Sequence, residues 1–104
     1  LLEDIMPSAL VTAYVATCLG CSGITASGEV AHAADMILAA SREWAIGSCV
    51  ELKLPREGWV QFAVQDRGGA IKGRDRFDML VGTVSEARAW GKRRIRYRAC
   101  QVIE

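Results

Sequence analysis

Asp66 and Asp78 bracket the glycine-rich string Arg67-Gly68-Gly69-Ala70-Ile71-Lys72-Gly73. An alternating apolar run, Trp59 to Gln65, leads into the first aspartate, and a second, Phe77 to Val81, carries the other. Each carboxylate therefore belongs at the lip of a strand, where side chains are held more rigidly than on a free loop. Rigid placement suits acid–base chemistry, because a proton donor must sit within hydrogen-bond reach of its acceptor. A surface turn without a task has little reason to combine Gly-Gly, an Ala-Ile pair that reads as buried, and a lysine. The chemistry this pattern points to is proton transfer, with Asp66 raising the pKa of Asp78 through its like charge. Asp66 itself is expected to orient the site, accepting amides from the Gly68-Gly69 turn or pairing with Lys72. Gly68 and Gly69 would supply backbone freedom or a close approach that a side chain blocks.

The elements that must position these groups are short. Leu10 to Ala16 is β-branched and aromatic and reads as a first strand. Thr17 to Gly28 is rich in Gly, Ser, Thr and Cys and reads as a loop. Val30 to Ala40 favours helix on alanine propensity, yet it carries no amphipathic stripe, and Met36 to Ala39 reads as a short buried strand. Val50, Leu52 and Leu54 alternate with Glu51 and Lys53; after Pro55-Arg56-Glu57-Gly58 the chain returns with Val60, Phe62 and Val64 on one face, a hairpin. Thr83-Val84-Ser85-Glu86 is a capping box opening a helix that ends in Lys92, Arg93 and Arg94. Arg94, Arg96 and Arg98 then alternate with Ile95, Tyr97 and Ala99 in a closing strand, with residues 101–103 as an extension. The expectation is a single mainly β domain over residues 1–104, a small barrel of about six strands with one short C-terminal helix.

Bulk properties narrow the function classes. With 104 residues, 51% of them hydrophobic and 24% charged, the chain has the make-up of one folded domain rather than a disordered tail. A formal net charge of +1 argues against a nucleic-acid binder working through bulk electrostatics. No apolar run approaches the roughly 20 residues of a membrane span. Glu3 and Asp4 spoil the first residues as a secretory signal, and a start at Leu1 reads as a piece of something longer. Cys18 and Cys21 have zinc-ligand spacing, but no second close pair follows and His32 is the only histidine. Disulfides in an exported protein, an all-thiolate zinc site formed with Cys49 and Cys100, and unpaired buried thiols all remain open.

Two strings resemble a known family. Gly23-Ile24-Thr25-Ala26-Ser27-Gly28 and the stretch Val64 to Asp78 are similar to the 3D domain, named for three aspartates. That domain is found at the C-terminal end of membrane-bound lytic murein transglycosylase A and in small phage and sporulation-associated relatives. The likeness covers residues 11–82 or so, and its specific part is Asp66-x-Gly68-Gly69-Ala70-Ile71-Lys72-Gly73. Trp44 to Ser48 resembles the family's Pro-x-Gly-Thr step; counting back from Gly47, the first of the three aspartates falls on Ala40. Arg67 stands where the family usually has threonine.

The resemblance implies a double-psi β-barrel and a peptidoglycan lytic transglycosylase that needs no metal or other cofactor. Asp78 would be the single acid/base, cleaving the MurNAc–GlcNAc β-1,4 bond with formation of 1,6-anhydro-MurNAc, and Asp66 the second carboxylate of the site. Thr25, Ser27, Gly68, Gly69 and Lys72 would line the groove for the glycan strand, although Thr25 and Ser27 also read as a side-chain-stabilised turn. Trp44 and Trp59 suit either sugar stacking or the core, and the core is favoured in so small a domain. The arginine face reads as solvated surface, or as a contact with an anionic wall or a partner chain. Asp75 reads as a turn residue, and His32 receives no role. The implied setting is the cell envelope, extracellular space or a phage, with the domain free to belong to a larger polypeptide or particle. The competing reading is a catalytically inactive wall-binding or structural module.

Overall fold

The computed structural model of the chain describes residues 7–16, 26, 28 and 36–100. Thr25, Ser27, His32, Cys18, Cys21 and residues 101–103 lie outside the described residues. Six strands run β1 (Ser8–Tyr14), β2 (Ile37–Ala40), β3 (Cys49–Leu54), β4 (Gly58–Asp66), β5 (Arg76–Leu80) and β6 (Arg93–Ala99). One helix, α1 (Val84–Trp90), sits between the last two. The strands close into a barrel in the order β1-β5-β2-β4-β3-β6, which removes every exposed sheet edge. β1 pairs with β5 and β2 with β4 in parallel, while the remaining neighbours are antiparallel. This mixed order is consistent with the double-psi barrel.

Period-two alternation fills the interior. Val11, Leu38, Val50, Leu52, Val64 and Phe77 are fully buried and form the middle of the core. Trp44, Phe77 and Tyr97 pack together at one side of it, with ring centroids 5.3–6.0 Å apart. Trp44 is thus a core residue, buried and tied by its indole N–H to the Arg74 carbonyl at 2.9 Å, with no face left for a sugar. Trp59 is half-buried and the Arg98 guanidinium lies 4.0 Å from its ring centroid.

The expected hairpin is β3–β4, with Gly58 at φ +76° closing its turn, a conformation that favours glycine. The helix is shorter than its basic tail suggested, because Arg93 and Arg94 already belong to β6. Thr83 Oγ1 accepts from the Glu86 amide at 3.1 Å, and Glu86 Oε2 accepts from Gly82 N at 3.4 Å, one residue before the expected partner. Arg93 folds back to donate to the Trp90 carbonyl at 3.0 Å, so its charge still serves the helix C-terminus. Trp90 fastens the helix to the barrel, its indole donating to the Val11 carbonyl at 2.9 Å.

Cys49 and Cys100 form a disulfide across the β3–β6 seam, with Cα atoms 5.4 Å apart. This excludes a zinc site built from all four cysteines. Bridging 51 residues of chain contributes about 4 kcal/mol by the loop-entropy argument. Arg98, expected in the solvent, instead pairs with the buried Glu51 at 3.0 Å.

Candidate active site

The barrel's register assembles a row of side chains on its outer face. Parallel pairing of β1 with β5 sets Thr12 beside Asp78, and antiparallel pairing of β5 with β2 sets Asp78 beside Ala39. Between Leu38 and Ala39 the β2–β4 register shifts, so that Ala39 meets Asp66 instead of Gln65. Such an irregularity re-aims a side chain at the expense of one ladder position. Here it brings the second carboxylate into the row. Thr12, Asp78, Ala39 and Asp66 therefore follow one another across four adjacent strands. The strands carrying the two aspartates are two spacings apart, roughly 10 Å of sheet.

The carboxylates are held differently. Asp66 accepts three hydrogen bonds: from the Tyr14 hydroxyl at 3.0 Å, the Ala26 amide at 3.0 Å and the Arg67 amide at 2.9 Å. The donors are not the expected Gly68-Gly69 amides or Lys72. Asp78 accepts from the Thr12 hydroxyl at 2.9 Å. Burial raises the pKa of Asp78 above the ordinary 3.8; the Thr12 bond and the Arg76 charge pull it down, and the Asp66 charge pushes it up. The expected push from Asp66 is present, but desolvation is the larger cause. Burial, followed by the Asp66 charge, raises the Tyr14 pKa as well, so its phenol stays protonated and remains a donor.

The loop between the aspartates is shaped by close contact. A Cβ at Gly68 would lie 2.8 Å from Ile71 Cγ1, a clash that explains the glycine. At Gly69 a Cβ would meet nothing within 4 Å, so that position is not held to glycine by crowding. Of the Ala-Ile pair only Ile71 is buried; Ala70 is exposed. Arg67 uses its guanidinium as a strut, donating to the carbonyls of Ser41 at 3.1 Å and Trp44 at 2.8 Å, and more weakly to Ala40 at 3.4 Å. A threonine could not span that gap. Ala40 points into the core opposite Phe77, so the uncharged position between the two carboxylates is Ala39. Lys72 is exposed on the loop. Asp75 does more than end a turn: its carboxylate accepts from the Tyr97 hydroxyl, whose pKa burial and this bond push up to about 12.

Thr12 and Tyr14 were not singled out in the sequence. Their signal was there, two hydroxyls at i and i+2 on the outward face of the first strand. Only the strand order shows that this face lies against Asp78. Among the described residues no cluster of His, Cys, Asp and Glu has the make-up of a metal site.

A closed six-stranded barrel with two strand-borne carboxylates on one outer face defines the class. The 3D domain family matches residues 44–101, more than half of the chain, and the protein belongs to that family. The match contains both aspartates and the loop between them, and begins after Ala39 and after the hydroxyls of β1. The family is associated with peptidoglycan-active proteins. No curated protein matches the chain. No helix among the described residues is long and apolar enough to cross a membrane, and the Cys49–Cys100 bond fits an oxidising compartment.

Proposed function

We propose that this domain is a peptidoglycan lytic transglycosylase with Asp78 as its single acid/base. The observation that carries the reading is Asp78 itself, a desolvated carboxyl held by one hydroxyl, in a row with a second carboxylate. Protonated Asp78 donates to the bridging oxygen between C1 of N-acetylmuramic acid and O4 of N-acetylglucosamine. The C1–O bond breaks and its electron pair stays with that oxygen. Asp78, now a carboxylate, takes the proton of the muramoyl C6 hydroxyl as O6 bonds to C1 and closes the 1,6-anhydro ring. The proton on Asp78 is restored and no water is consumed. Because the nucleophile belongs to the substrate, a second catalytic carboxylate is not required, unlike the usual glycosidase pair.

Asp66 then serves as a fixed acceptor that orients the sugar and keeps the Asp78 proton from leaving early. Lys72, Gly68 and Gly69 border the strand-binding groove, and the site works at the cell envelope, outside the cytoplasm or from a phage. Digestion of purified murein sacculi tests the reading. The expected result is a chromatographic profile of anhydro-muropeptides that Asp78→Asn abolishes with the fold intact. Sacculus binding without any new product would overturn it in favour of a non-enzymatic wall module.

A further inference from the structure

Next to the carboxylate row lies a cavity of about 540 Å³. Its two walls continue directly from that row: residues 40–43 follow Ala39, and the loop from Arg67 to Gly73 follows Asp66. Ser41 links them by donating its hydroxyl to the Gly73 carbonyl at 2.9 Å, and the Arg67 strut links them again. The lining is cationic, with Arg42, Arg67 and Lys72 against Glu43. Arg67 is committed to backbone carbonyls, so it adds positive field without reaching a ligand. Arg42 and Lys72 stand exposed on opposite walls, and neither joins a hydrogen bond or ion pair among the described residues. Two uncommitted cations across a formed cavity suit a small anion, and a carboxylate above all.

Building on the glycan-strand reading above, we propose that this cavity takes the carboxylate carried by a muramoyl residue, held between Arg42 and Lys72. That carboxylate belongs to the stem peptide, or to the lactyl group where the peptide has been removed. N-acetylglucosamine carries none. Occupation of the cavity therefore sets the register of the alternating strand, so that a muramoyl C1, rather than a glucosaminyl C1, is presented to Asp78. Arg42 and Lys72 are specificity-determining residues in this scheme.

Binding to three disaccharides, followed by calorimetry on the wild-type domain, tests the proposal. They are GlcNAc–MurNAc with its stem peptide, GlcNAc–MurNAc with the peptide removed, and neutral chitobiose. None contains the MurNAc–GlcNAc linkage, so affinity is read without cleavage, and failure of sacculus digestion would leave this measurement intact. The two muramoyl ligands should bind about tenfold more tightly than chitobiose, the tighter of them identifying the source of the carboxylate. Arg42→Gln combined with Lys72→Gln should bring all three to the chitobiose level. Glu43→Gln, which removes the one opposing charge, should tighten both muramoyl ligands and decides the matter if the double variant fails to fold. Chitobiose binding as tightly as either muramoyl ligand, discrimination that survives the double variant, or a Glu43→Gln domain with unchanged or weaker affinity would each overturn the proposal.

Discussion

Glu51 and Asp78 both stand on strands whose other face is packed in the core, and their charges are treated in opposite ways. Glu51 is buried against Arg98 at 3.0 Å, and the same guanidinium covers Trp59. The Cys49–Cys100 bridge ties the first residue of β3 to the residue that follows β6. Charge, aromatic face and covalent link satisfy one another on that wall. Asp78, across the barrel, has a hydroxyl and, among the described residues, no bonded cation; the nearby Arg76 guanidinium donates to the Phe77 carbonyl. One wall spends its polar groups on stability. The other leaves a desolvated carboxyl with one hydroxyl donor, which disfavours its charged form in the fold and supports the proposed catalytic role.

The largest break in this contrast should come from Asp78→Asn, with anhydro-muropeptide release from sacculi falling about 10³-fold, as expected for loss of a general acid. The same substitution should raise the melting temperature at neutral pH. A carboxyl whose pKa is raised on folding favours the fold fully below the ordinary 3.8 and loses that contribution as pH climbs to its folded value. The gain from asparagine should therefore vanish near pH 3, and a variant that melts lower than wild type at pH 7 would contradict it. On the opposite wall, Cys49→Ser with Cys100→Ser should cost about 2–4 kcal/mol in denaturant unfolding, while the intact fraction keeps its product profile at low temperature.

Smaller effects sharpen the comparison. Tyr14→Phe removes one of three donors to Asp66 and should lower turnover about tenfold with little change in melting temperature. Thr12→Val removes a bond that lowers the Asp78 pKa, so the basic limb of the pH–rate profile should move to higher pH. Glu51→Gln should reduce stability by about 1 kcal/mol and leave that profile where it was.

Much of this was legible along the chain. The β3–β4 hairpin, the capped helix, the arginine-faced last strand and the short β2 follow from alternation, turn chemistry and capping, all local signals. Asp66 and Asp78 stood out for the same reason, as strand-borne carboxylates flanking a glycine-rich loop, although only Asp66 ends its strand and Asp78 falls at the middle of β5 rather than at its lip. What could not be read was lateral order. The barrel places β5 between β1 and β2, so Thr12 meets Asp78 across 66 residues of sequence. Tyr14 reaches Asp66 across 52. The one-residue shift beside Ala39 leaves no mark in composition. Glu51 and Arg98 looked like ordinary outward charges, because only the β3–β6 register makes them neighbours.

The account rests on Asp78 holding a proton longer than an ordinary aspartate. A carbon-detected NMR titration of its side-chain carboxyl measures this directly. The predicted midpoint lies above 3.8 and falls when Asp66 is replaced by asparagine. A midpoint at or below 3.8, indifferent to Asp66, would contradict the assignment of Asp78 as the proton carrier.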